Sequence, residues 1–143
     1  MRIIADTSVW SQFLRRNRPK TDPVALEMER LIRLDVVFML GVIRLELLSG
    51  TRPQDRFNQL KEHLRHFPNV PLDEEDDENA AAYYNVCRAN GVQGTAIDLL
   101  ICAVSVRHGF RIFTVDADFE AYARHLPIKL HVARGVASKP RPH

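Results

Sequence analysis

Apolar residues along this chain alternate between short unbroken runs and a spacing of three to four. The runs predict buried strands and the spacing predicts amphipathic helices. Ile3-Ile4-Ala5, with Arg2, reads as a strand over 2–5, and Asp6-Thr7-Ser8 is a helix-entry signal. Val9, Trp10, Phe13 and Leu14 then fall at helical spacing, and Pro19 to Pro23 reads as a loop. Val24, Met28, Leu31 and Ile32 share one face of a helix over 24–34. Val36 to Leu40 is β-branched and aromatic, which predicts a strand. Gly41 opens a helix that Gly50 closes, and Pro53 starts another, to Phe67. Pro68 and Pro71 mark a loop with a short strand near Val70. Further helices follow from the acidic run 73–78 to Asn90 and over 95–108, ended by Gly91 and Gly109. Strands over 110–115 and 128–132 flank a short helix opened by Asp116 and running to His125.

Short apolar strands separated by helices predict an α/β fold, a three-layer α/β/α arrangement around a mainly parallel sheet of four to five strands. The 143 residues suit one domain, assigned to 1–132, followed by a basic tail over 133–143 that reads as frayed. Apolar residues at 45% and charged residues at 27% exclude extended disorder. The longest apolar run, Leu99–Val104, is far short of the roughly 20 residues a membrane helix needs. The first residues are too short before Asp6 to be a secretory signal, so a cytosolic location is expected. Cys87 and Cys102 have neither metal nor disulfide spacing and read as buried thiols. There is no Gly-rich phosphate loop, which excludes P-loop nucleotide hydrolysis.

The net charge of +2 conceals an uneven distribution. Six of the eighteen acids lie in Asp73 to Glu78; without them the balance would be +8. That run precedes a helix, where negative charge suits the macrodipole, and the rest of it reads as a solvated face. Arg15, Arg16, Arg18 and Lys20 form a basic stretch, either a solvated face or a track for an RNA backbone.

Four other acids sit among aliphatic neighbours: Asp6, Glu46, Asp98 and Asp116. Asp6 and Asp116 follow strands, and in parallel α/β sheets sites form beyond the carboxyl ends of strands. Asp98 lies in the first turn of a nearly all-apolar helix. Each has a plainer alternative. Asp6 and Asp116 suit N-caps, Thr95 to Asp98 loosely fits a capping box, and Glu46 suits a solvent stripe. Taken together the four point to a divalent metal, because carboxylates a few ångströms apart repel unless a cation joins them. The absence of His or Cys at ligand spacing argues against zinc and for Mg²⁺ or Mn²⁺. The chemistry such a centre serves is phosphoester hydrolysis.

Four segments in order carry a family resemblance: Ile4-Ala5-Asp6-Thr7-Ser8-Val9-Trp10, Val42 to Gly50 around Glu46, Gly94 to Ala103 around Asp98, and Phe113-Thr114-Val115-Asp116-Ala117-Asp118-Phe119. The chain resembles PIN-domain ribonucleases, and more narrowly the VapC toxins of toxin–antitoxin pairs. The resemblance runs from about Ile3 to Ile128. It implies a Mg²⁺- or Mn²⁺-dependent endoribonuclease with Asp6, Glu46, Asp98 and Asp116 as its acidic quartet and Asp118 as a fifth candidate. Ser8 and Thr114 would orient the carboxylates. A cognate VapB-like antitoxin and a homodimer are also implied. Two alternatives stand beside it: a catalytically silent RNA- or protein-binding domain on the same fold, and a phosphatase with Asp6 as nucleophile. The second is weakened because the segment after Asp6 lacks the D-x-D-x-T pattern.

Overall fold

Ile3, Ile4 and Ala5 are completely buried, and they form the centre of the sheet. The computed structural model describes residues 1–133. The basic tail expected from 133 onward lies, beyond Ala133, outside the described residues. The strand β1 (Ile3–Ala5) is paired on one side with β2 (Val37–Phe38) and on the other with β3 (Arg111–Phe113). Outside β3 lies β4 (Leu130–His131), which gives the order β2-β1-β3-β4 with every pairing parallel. Parallel pairs need crossovers, and helices supply them. They are α1 (Thr7–Phe13), α2 (Pro23–Arg33), α3 (Gly41–Ser49), α4 (Gln54–Leu64), α5 (Glu74–Ala89), α6 (Ala96–His108) and α7 (Asp118–Ala123). The result is the expected three-layer α/β/α fold, with the sheet at the lower of the two expected strand counts.

Most differences from the sequence reading lie at element ends. The strand expected near Val70 is reduced to an isolated parallel bridge between Met39 and Asn69. Pro53 precedes α4 as its N-cap instead of lying within it, and α4 stops at Leu64, short of Phe67. Asp116 does not open α7, which starts two residues later at Asp118. The Asp116 carboxylate accepts instead from the Asp118 N–H at 2.9 Å, a local bond that turns the chain before the helix. Gly109 ends α6 at a left-handed φ of 73°, and the Phe110 N–H donates back to the Ser105 carbonyl at 2.9 Å.

The acidic run differs from its expected solvated state at one residue. Asp76 is completely buried. It completes a capping box with Asp73 at the start of α5 and accepts from Arg107 Nε and Nη2 at 2.6 and 2.7 Å. This fork joins the N-terminal turn of α5 to the last turn of α6. The Arg107 hydrogen bonds hold the Asp76 carboxyl below the usual carboxylate range against the opposing effect of burial. Cys87 and Cys102 are free, buried thiols, as expected.

Candidate metal centre

The connection order places β1 between β2 and β3, so the chain leaves β1 toward one edge and later returns to its other side. Loops diverge at such a switch point and leave a crevice beyond the strand ends. Asp6 and Thr114 face each other there. The Asp6 N–H donates to the Phe113 carbonyl at 3.0 Å, extending the ladder by one step. That places both side chains immediately beyond the paired residues Ala5 and Phe113.

Asp6 is the most constrained of the acids. Its Oδ1 accepts from Ser8 Oγ at 2.6 Å and from the Val9 N–H at 3.3 Å, and its Oδ2 accepts from Thr114 Oγ1 at 2.9 Å. It therefore is the N-cap of α1, as the plainer reading held, while also standing in the crevice. Ser8 and Thr114 connect it to the other strand end. Ser8 Oγ accepts from the Val115 N–H at 3.1 Å, and Thr114 Oγ1 accepts from the Asp116 N–H at 3.0 Å. Burial pushes the Asp6 carboxyl above the usual range; the three hydrogen bonds oppose this and the Asp116 charge reinforces it.

Asp98 reaches the crevice from α6. Thr95 Oγ1 accepts from the Asp98 N–H at 3.1 Å, which caps the helix. The reciprocal half of a capping box is not made. The Asp98 carboxylate accepts from Tyr122 Oη at 2.8 Å. Burial raises its pKa, the Tyr122 bond lowers it, Asp116 and Asp6 raise it further, and the Thr95 hydroxyl lowers it least of all. Gly94 precedes this turn where a Cβ would lie 2.3 Å from Leu99 Cδ2, so a side chain there would displace the Leu99 side chain.

Asp98, Asp116 and Asp118 each present one carboxylate oxygen, all within 4.8 Å of one another. Asp98 and Asp116 are half-buried and Asp118 is exposed. Asp6 lies outside that trio but is close enough for its charge to act on Asp98 and to be acted on by Asp116. Glu46 also lies outside it. Exposed on α3, it accepts from Thr7 Oγ1 at 3.0 Å. The structure thus gathers three of the five candidate acids directly, sets Asp6 within reach of their charge, and links Glu46 through Thr7, next to Asp6. Thr7 and Tyr122 were not singled out in the sequence. The available signals were the adjacency of Thr7 to Asp6 and the position of Tyr122 one helical turn beyond Asp118.

A PIN domain family model matches residues 3–125. The chain belongs to the PIN domain family. Among curated relatives of this PIN chain, VapC ribonuclease Mb1587 of Mycobacterium bovis is 33% identical over 126 residues, covering 85% of this chain and 92% of the relative. Ribonuclease VapC11 of Mycobacterium tuberculosis matches to the same extent. Among solved structures, FitAcB from Neisseria gonorrhoeae superposes with a TM-score of 0.75 at 23% identity, over 94% of this chain and 99% of that one. VapBC2 from Rickettsia felis, bound to a promoter DNA fragment, gives 0.74 at 13% identity, over 92% and 98%. At those identities the two structures speak to the PIN fold alone. Among the described residues no helix is long and apolar enough to cross a membrane.

Proposed function

We propose that this protein is a metal-dependent endoribonuclease that hydrolyses RNA phosphodiester bonds as the toxin of a toxin–antitoxin pair. The observation that carries the reading is the trio of carboxylate oxygens from Asp98, Asp116 and Asp118 within 4.8 Å, beside the fixed Asp6, in a chain of this family. An all-oxygen donor set suits a hard cation, Mg²⁺ or Mn²⁺, better than zinc. The names of the VapC ribonucleases support RNA as substrate, and the VapBC complexes support a VapB-like antitoxin as partner. We extend the proposal to a homodimer located in the cytoplasm.

Asp98, Asp116 and Asp118 would hold the ion, and Asp6 would add its charge to the site. A bound Mg²⁺ or Mn²⁺ would polarise the scissile phosphate, ease deprotonation of the attacking water and offset the charge of the transition state. The chain's own residues supply position. Ser8 and Thr114 fix both oxygens of Asp6 and connect β1 to the turn carrying Asp116. Their role resembles that of partners that orient metal ligands elsewhere. Glu46 has one oxygen on Thr7 and is otherwise exposed, so it can accept a proton or hold a water at the rim. Asp6 is buried with both oxygens hydrogen-bonded, an arrangement suited to orienting charge and not to attacking phosphorus as a phosphatase nucleophile would.

The test is cleavage of cellular RNA by protein purified free of antitoxin. Cleavage is expected with Mg²⁺ or Mn²⁺, lost in EDTA and lost in Asp98→Asn at unchanged far-ultraviolet circular dichroism. RNA binding that is equal with and without EDTA, with no cleavage, would instead establish the silent binding domain.

A further inference from the structure

We infer that Tyr122 is a positioning residue for the metal centre, fixing the Asp98 carboxylate through the Tyr122 Oη–Asp98 Oδ2 bond. The inference rests on the reading of this site as a metal centre. Tyr122 is completely buried on α7, with its ring edge-on to Phe119 at 5.2 Å between centroids. A buried phenol needs an acceptor, and Asp98 Oδ2 at 2.8 Å is the one it has. Asp98, for its part, does not use its carboxylate to close the capping box with Thr95, the local partner its position in α6 offers. Beside the Thr95 hydroxyl of its own helix cap, Tyr122 is the donor that holds that carboxylate from another element.

The chemistry of the donor matters. A phenol donates one proton to one oxygen and carries no charge. It therefore fixes the carboxylate's orientation while leaving the other oxygen, and the full negative charge, available to a cation. A Lys or Arg in its place would compete with the ion. The carrier matters too. α7 has Asp118 as its first residue and Tyr122 one turn later, on the same face. One short helix thus delivers its own carboxylate to the trio and holds in place the carboxylate that α6 contributes. The spacing between Asp98 and Asp118 is then set by α7 and not by the flexibility of two separate loops.

Tyr122→Phe keeps the ring and removes the hydroxyl. In full-length, metal-stripped protein, Mn²⁺ titration followed by electron paramagnetic resonance should show dissociation constants about tenfold weaker than wild type, the lower end for lost ligand support. The melting temperature should change little. A merely structural role would lower the melting temperature and leave Mn²⁺ affinity unchanged, and equal affinity overturns the inference. A wild-type protein that binds no Mn²⁺ removes the reading of the site and the inference with it, a distinguishable failure. A second measurement needs no variant to fold. With three tyrosines in the chain, ¹³Cζ-tyrosine labelling gives three resonances. Saturating Mg²⁺ should move that of Tyr122 and leave those of Tyr83 and Tyr84 in place; a stationary Tyr122 resonance overturns the inference.

Discussion

Thr114 shows how much of the site depends on one hydroxyl. It donates to Asp6, accepts from the Asp116 backbone, and lies 3.3 Å from Ser8 Oγ. Valine has nearly the same shape and none of these bonds. Thr114→Val should therefore leave the fold in place, lower the melting temperature by a few degrees and reduce single-turnover RNA cleavage about 10- to 100-fold. Ser8→Ala should act in the same direction, because Ser8 holds the other oxygen of Asp6. A metal-free counterpart concerns Asp6 itself. Its buried carboxylate faces the charges of Asp116 and Asp98, so Asp6→Asn should raise the melting temperature of the stripped protein while abolishing cleavage. Calorimetry in EDTA reads the first effect, and a wild-type protein as stable as the variant would contradict it. Asp6, Glu46, Asp98 and Asp116 are legible in the sequence because each interrupts an aliphatic context, whereas Asp118 enters only through the family resemblance. The residues that orient them are less so. Ser8 and Thr114 stood next to acids in chain order, whereas Tyr122 meets Asp98 across 24 positions.

Among the elements, the α5–α6 pair depends on one ion pair. Asp76 is completely buried, and Arg107 forks onto it from the far end of α6. Removing the arginine would leave the Asp76 carboxylate without its charge partner, so Arg107→Met should lower the denaturant midpoint at neutral pH. The direction of the pH dependence follows from the depressed Asp76 pKa. A carboxyl depressed on folding contributes stability above its unfolded value, near 4, and loses it as pH falls through the folded value. The gap between wild type and Arg107→Met should accordingly be widest at neutral pH and close below about pH 4. A gap that persists in acid would show that packing of the Arg107 stem, and not the charge pair, is responsible. Apart from the strand near Val70, element existence and order are legible in periodicity and breakers, since each helix and strand carries its own apolar face. Their ends are not. The Val70 strand shrank to a bridge because a strand's length depends on which neighbour its backbone finds. Asp76 was grouped with five solvated acids because nothing local reveals an arginine 31 residues away.

For the molecule as a whole, the question is how a chain of net charge +2 would hold a polyanion over a cluster of acids. Arg15 and Arg16 are exposed just beyond the end of α1 opposite Asp6, past a seven-residue helix about 10 Å long at 1.5 Å per residue. Arg18 is already engaged, donating to the Phe13 carbonyl at 2.9 Å and pairing with Glu29 at 3.3 Å. If the proposed ribonuclease function holds, Arg15 and Arg16 are the exposed cations of this stretch left to meet an RNA backbone. In an Asp98→Asn background with Mg²⁺ present, replacing both Arg15 and Arg16 by Ala should weaken RNA binding. It should also make the slope of log affinity against log salt shallower by about 1.4, the value for two single-strand phosphate contacts. An unchanged slope would return these arginines to a solvated face. The sequence alone determined the alternation of strands and helices, the parallel sheet it requires, and which acids were out of place, because periodicity, breakers and aliphatic context are all written locally. Only the tertiary structure decided that Asp98, Asp116 and Asp118 converge, that Glu46 stays at the rim on Thr7, and that Tyr122 holds Asp98. Those outcomes depend on β1 lying between β2 and β3, which is a matter of packing between segments far apart in the chain.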